Sequence, residues 1–203
     1  MARSLAAVLA GMGLLTGLLA CQAREDETPS EAAAPETAAD EVAVLEIRDF
    51  GEIRIRFFAD VAPRHVENFK KLAREGFYDG TTFHRVIPGF MIQGGDPNSK
   101  DDDPANDGFG GPGYTIPAEF NDIPHRRGIV SMARSRDPDS AGSQFFIMQQ
   151  DSPNWVSVLD HRYTVFGEVV SGLDVVDAIA EVPRDPRDRP LSNVVIQAIR
   201  IES

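Results

Sequence analysis

The run FHRVIPGFMIQGGDP, residues 83–97, gathers residue types able to act on another molecule. Arg85 is a cation that stays charged at any working pH. Phe90 and Met91 follow it as an apolar pair, and Gln93 adds an amide that both donates and accepts hydrogen bonds. The run holds no acid before Asp96 and neither Cys nor Ser. That excludes local arrangements in which a nucleophile needs a base. It offers one fixed charge, an apolar surface and an amide.

Other chemistries find less support. Ser131, Ser140 and Ser143 lack the G-x-S-x-G elbow of a hydrolase. His65, His84, His125 and His161 are scattered, with no Cys or paired His beside them, which argues against zinc. Asp101, Asp102, Asp103 and Asp107 could offer oxygen ligands to Ca²⁺, but their spacing departs from an EF-hand loop. A solvated charge run is the preferred reading. No glycine-rich nucleotide motif is present. Neither a metal nor a cofactor is expected.

These residues must be carried by some fold. The chain has 203 residues, 42% hydrophobic and 26% charged, the composition of a soluble globular domain with extras. A net charge of −12 argues against nucleic acid, which demands clustered Lys and Arg. Residues 1–20 carry one Arg near the start and then an apolar run broken by Gly and Thr, the layout of a signal peptide. Residues 22–41 hold one Arg and seven acids among Ala, Thr and Pro, without an aromatic or large aliphatic side chain. Such a stretch cannot bury enough apolar surface to offset its ordering entropy, so residues 21–41 are expected to form a disordered acidic tether.

From residue 42 to residue 203 the pattern becomes that of a folded domain. VAVLEIRDFGEIRIRFF alternates as two strands about a turn at Asp49 to Gly51, with Ile53, Ile55 and Phe57 on one face. APRHVENFKKLAREG reads as a helix, with Pro63 in its first turn, Val66, Phe69, Leu72 and Ala73 on its buried face, and Gly76 as its stop. Short apolar runs between Gly, Pro and Asp clusters fill residues 82–170. GLDVVDAIAEV is a second helix and SNVVIQAIRIE a closing strand. The count predicts a mainly β protein: a closed β-barrel of about eight strands, its interior filled by side chains, with two helices.

Three stretches carry a resemblance: FHRVIPGFMIQGGD, SMARSRDPDSAGSQFFI (131–147) and LDHRYTVFGEVVSGLDVVDAI (159–179). They are similar to the signature regions of the cyclophilin family of peptidyl-prolyl cis-trans isomerases, in order, over residues 42–202. The resemblance implies an eight-stranded antiparallel barrel capped by two helices. It also implies rotation about X-Pro bonds, whose barrier comes from amide resonance. No bond breaks, so no nucleophile, metal or redox group is needed. Arg85 resembles the catalytic arginine, which would bond the prolyl nitrogen as it pyramidalises and so act mainly on the transition state. Family correspondence puts Phe90, Met91, Phe146 and Leu159 around the proline ring, with Tyr163 closing the pocket. Gln93 and Gln144 would hold the substrate carbonyl and steady Arg85. The backbone at Ala133 and Arg134 would pair with the peptide as an added strand. Phe83 and Phe145 read as ordinary core.

The chain departs from the family at two places. Val158 stands where many members have a rim tryptophan, which predicts weak cyclosporin binding, and Tyr163 stands where many animal members have His. Whether Trp155 reaches the rim is open at this level. Leu18, Leu19 and Ala20 before Cys21, the only cysteine, resemble a bacterial lipobox, so Cys21 is the expected lipidation site. Gln22 after it resembles sorting to the periplasmic face of the outer membrane. The expected protein is a monomer, exported to the cell envelope and lipid-anchored to a membrane, with proline-containing polypeptides as substrates. The rival readings are a non-catalytic proline-peptide-binding or chaperone-like lipoprotein and a purely structural envelope lipoprotein. Arg85 favours the enzyme over the first, and the pocket favours it over the second.

Overall fold

The computed structural model describes residues 41–101, 103–151 and 153–203. The signal segment, Cys21 and the tether as far as Asp40 lie outside the described residues. Glu41, the last tether residue, pairs with Lys70 at 2.9 Å and with Arg74.

The chain opens with β1 (Val42–Ile47) and β2 (Gly51–Phe57), an antiparallel hairpin. Its turn takes left-handed backbone at Asp49 and Gly51, and the alternating Ile53, Ile55 and Phe57 are buried as expected. Helix α1 (Pro63–Arg74) follows, and Ala62 before it offers no side-chain cap. Glu119 does that work from a distant loop: its carboxylate accepts from the Arg64 and His65 N–H groups at 3.2 and 3.1 Å, where the helix dipole favours a negative charge. Gly76, at φ +68°, ends the helix. Its buried face is Val66, Phe69, Leu72 and Ala73.

The sheet continues with β3 (Arg85–Ile87), β4 (Met91–Gly94), β5 (Ile129–Met132), β6 (Phe145–Met148), β7 (Val165–Ser171) and β8 (Ile196–Glu202). All neighbours are antiparallel, in the order β3-β4-β6-β5-β7-β2-β1-β8. Two further helices are α2 (Pro153–Leu159) and α3 (Leu173–Ala180).

The expectation of a closed barrel with two helices needs two corrections. Edge strands β3 and β8 do not pair along their length. The chain entering β3 meets the chain entering β8 through a bridge at Thr82 and Val195 and bonds such as Phe83 N–H to Val194 O, 2.9 Å. A three-residue β3 is too short to complete a ladder, so the sheet is a curled, incompletely closed barrel. The second correction is α2, a third helix. It is seven residues, about two turns, and five of them are Asn, Trp, Val, Ser and Val, residues of modest helix propensity, so its sequence announces nothing.

Two apolar clusters result. Inside the curl, Phe69, Tyr78, Phe83, Phe145 and Phe166 pack with the aliphatic residues of β1 and β2. Phe69 and Phe145 meet edge to face at 5.4 Å. On the outer face of β4, β5 and β6 lies a second cluster containing Phe90, Met91, Ile129, Phe146, Met148 and Leu159. Strand β6 serves both, sending Phe145 and Ile147 inward and Phe146 and Met148 outward. Each of these side chains contributes about 1.5–3 kcal/mol when taken from water.

Candidate active site

The outer face of the short strands carries the site. Antiparallel register places Arg85 of β3 opposite Gln93 of β4, Gln93 opposite Phe146 of β6, and Phe146 opposite Ser131 of β5. Period-two alternation puts all four on one face. A cavity of about 510 Å³ opens there, lined by Arg85, Phe90, Met91, Gln93, Ala133, Arg134, Phe146, Leu159 and Tyr163. Nine of the ten substrate-handling residues expected from sequence thus share one cavity. The tenth, Gln144, lines an adjoining hollow and accepts from Gln93 Nε2 at 3.0 Å, while its own Nε2 donates to Gly110 O at 2.9 Å.

The floor is apolar and braced from behind. Phe90, Met91, Phe146 and Leu159 are all buried. Phe146 meets Tyr163 edge to face at 5.7 Å, and His125 stacks beneath it with rings 5.9 Å apart. Asp160 accepts from His125 Nδ1–H at 2.8 Å, and Ser131 Oγ lies 3.1 Å from Nε2. Burial holds the His125 pKa below its ordinary value against the pull of Asp160. Trp155, from α2, lies flat on Phe90 with ring centroids 3.9 Å apart, so it reaches a pocket-wall residue, while Val158 is exposed.

The polar residues differ in freedom. The Arg134 guanidinium is committed: it donates to the Arg162, Ser135 and Arg136 carbonyls and covers the Tyr163 ring at 4.6 Å. The Ala133 N–H is also committed, to Gln144 O at 2.9 Å. Arg85 is the least engaged. Its side chain is 43% exposed, and among the described residues its one close ionic neighbour is Asp188, Nε to Oδ2 at 3.9 Å. No hydrogen bond joins it to Gln93 or Gln144, which bond each other instead. Asp188 is held by a Val86 N–H bond to Asp188 O, 2.8 Å.

Loop 103–109 lines the same cavity through Asp107, Gly108 and Phe109, beside Arg187 and Arg189. Asp107 is not the solvated charge expected: its side chain is 7% exposed and accepts from Arg189 Nε at 2.7 Å. The loop hangs on buried Asp96, whose carboxylate accepts from the N–H groups of Asn98 (2.8 Å), Gly108 and Gly110 (3.3 Å). Among the described residues no cluster of three or more His, Cys, Asp or Glu side chains could hold a metal ion. Asp188, Arg189, His125 and Phe109 carry no sequence signal as site residues, because their partners are set by the fold alone.

Residues 42–201 match the family described as cyclophilin type peptidyl-prolyl cis-trans isomerase/CLD. A probable peptidyl-prolyl cis-trans isomerase of Brucella abortus is 50% identical over 141 residues, 67% of this chain and 69% of its own length. Peptidyl-prolyl cis-trans isomerase B of Bacillus subtilis is 47% identical over 130 residues, 63% of this chain and 82% of its own. The crystal structure of a cyclophilin type isomerase from Cryptosporidium parvum, determined in the presence of the dipeptide Ala-Pro, superposes with a TM-score of 0.70. It is 32% identical and covers 80% of this chain and 99% of that one.

Proposed function

The chain belongs to the cyclophilin-type peptidyl-prolyl cis-trans isomerases, and we propose that it accelerates X-Pro rotation in exported or envelope polypeptides through Arg85. The observation that carries this reading is a lightly engaged guanidinium at the edge of a cavity with an apolar floor of Phe90, Met91, Phe146 and Leu159. A planar X-Pro amide offers Arg85 a poor acceptor, because its nitrogen lone pair is delocalised. As the bond twists, the lone pair returns to nitrogen and the guanidinium gains a partner. An interaction that strengthens with twisting lowers the barrier instead of merely tightening binding. The Ala-Pro dipeptide present with the Cryptosporidium relative supports a proline peptide as the ligand here.

The test is an isomerisation assay on an X-Pro peptide with residues 22–203, wild type against Arg85→Ala. Wild type is expected to accelerate exchange, and the variant to bind the peptide with most of the acceleration gone. A wild type that binds but leaves exchange at its uncatalysed rate would make this a proline-binding module.

Two finer points belong to the same reading. Val158 at the rim leaves cyclosporin without an aromatic partner there, so its binding is weak; a nanomolar Kd would overturn this. Cys21 receives the lipid, and the protein works from a membrane surface in the envelope, where newly exported chains meet slow prolyl steps. Labelled palmitate fed to producing cells should mark the wild type and leave Cys21→Ser unmarked.

A further inference from the structure

Four arginines line the cavity, and they differ in what faces them. Arg85, Arg187 and Arg189 each have an acid within reach: Asp188 at 3.9 Å, Asp185 at 3.7 Å and Asp107 at 2.7 Å. Arg134 has none among the described residues. Its guanidinium donates only to the carbonyls of Arg162, Ser135 and Arg136, which fix it in place without cancelling its charge. Two of those carbonyls belong to arginines, so the same contact brings a second and a third cation to this corner. Arg136 and Arg162 are exposed, and the side chain of neither makes an ion pair or hydrogen bond among the described residues.

The acids nearest in the chain are turned elsewhere. Asp137 Oδ1 accepts from the Asp139 N–H at 3.0 Å, Asp139 Oδ1 from the Ala118 N–H at 2.9 Å, and Asp160 Oδ1 from His125 Nδ1 at 2.8 Å. Three arginines thus gather without a counter-charge on a chain whose net charge is −12. Such a corner attracts anions to one edge of the cavity on a molecule that otherwise repels them. It adjoins the pocket, because the Arg134 guanidinium covers the Tyr163 ring at 4.6 Å and both residues line the cavity with Arg85. At about 3.3 Å per extended residue, a side chain a few residues from the bound proline reaches it.

We propose that this corner selects the substrate: Arg134, Arg136 and Arg162 receive an Asp or Glu side chain close to the proline, so that acidic X-Pro segments are the preferred polypeptides. Arg134 supplies a fixed charge. Arg136 and Arg162, whose guanidinium groups are not engaged, supply the hydrogen bonds to the carboxylate. An amide or apolar side chain gains no ion pair here, and a basic one is repelled.

The proposal rests on the cavity being the isomerase site, and its test separates the two. Peptides with one X-Pro bond carry Glu, Gln or Lys at each position from three before to three after the proline, and kcat/KM is measured with the wild-type chain. On one side of the proline Glu should exceed Gln by about three- to fivefold at low salt, the upper scale of an exposed ion pair, and Lys should fall below Gln. The advantage should shrink towards one in about 0.5 M NaCl. Arg136→Gln/Arg162→Gln should keep turnover of the Gln peptide and bring the Glu/Gln ratio to about one. Arg136→Glu/Arg162→Glu should turn the preference to Lys. Arg74→Gln/Arg200→Gln, which removes as much charge from α1 and β8, should leave the ratio as in the wild type. Equal rates for Glu and Gln at every position overturn the proposal while the isomerase reading stands. A Glu advantage that survives Arg136→Gln/Arg162→Gln overturns it too. If no peptide is turned over, the isomerase reading fails. The corner is then judged by calorimetry, where a Kd tighter for one Glu peptide than for its Gln twin in the wild type, and equal in Arg136→Gln/Arg162→Gln, upholds it and any other result overturns it.

Discussion

Arg85 faces a demanding task. Bringing X-Pro exchange from tens of seconds to milliseconds takes roughly 10⁴-fold, about 5.4 kcal/mol at about 1.36 kcal/mol per decade. One charge-assisted hydrogen bond contributes about 1.5–3 kcal/mol, so in the proposed mechanism Arg85 supplies part of the acceleration and the apolar pocket the rest, by holding the ring and excluding water. Arg85→Ala should therefore lower kcat by about 10- to 200-fold with little change in KM, in line with one such bond. Arg85→Lys should recover only a fraction, since an ammonium lacks the planar fork of donors. Equal losses in binding and turnover would show a ground-state role instead. Trp155→Ala, which strips the stacked ring from Phe90, should raise KM with a smaller effect on kcat, as measured on the same peptide.

Among the elements, the loop at residues 103–110 is set by one buried acid. Asp96 gathers three backbone N–H groups, and the loop then positions Gly110 O for Gln144 and Asp107 for Arg189. Asp96→Ala should cost about 1.5–3 kcal/mol of stability, the range for hydrogen bonds to a charged group, and should reduce turnover by loosening the Gln93–Gln144 pair. Gly110→Ala should act in the same direction, because a Cβ there would press on the Asp96 carboxylate and come 2.9 Å from the Asn98 side chain. Urea midpoints of the two variants, read beside kcat/KM, check both claims. An Asp96→Ala protein as stable as wild type would show that the loop is held by other contacts.

For the molecule as a whole, acid is the expected weakness. His65, His84 and His125 are all held below the ordinary histidine value, burial being the first cause in each. The unfolded chain takes up these protons near pH 6.5, and the folded chain resists them. Stability is therefore full above about that pH and falls as the pH drops towards the lower folded values. Glu41 and Asp177 are lowered too, first by bonds from Lys70 and from Arg127, and extend the loss to more acid conditions. The urea midpoint at pH 5.5 should lie below that at pH 7.5. An unchanged midpoint would mean that the buried rings find partners for a second proton.

What the sequence by itself determined is what near neighbours in the chain carry. The alternation of Ile53, Ile55 and Phe57, the spacing of Val66, Phe69 and Leu72, and the Arg85-to-Gln93 run each signal their element because side-chain direction repeats every two or 3.6 residues. In β6 that signal fails: FFIM is apolar throughout, so nothing local tells which of Phe145 and Phe146 faces the core and which the pocket. The tertiary structure supplies the reason behind an assignment that only the family resemblance made, Phe146 at the pocket and Phe145 in the core, by laying the second apolar cluster on the outer face. It also decided the partners of Arg85, Asp107 and His125, residues that find Asp188, Arg189 and Asp160 from distant segments. Such pairs leave no periodic trace, because their proximity depends on how the sheet curls and where its loops return, and not on any spacing along the chain.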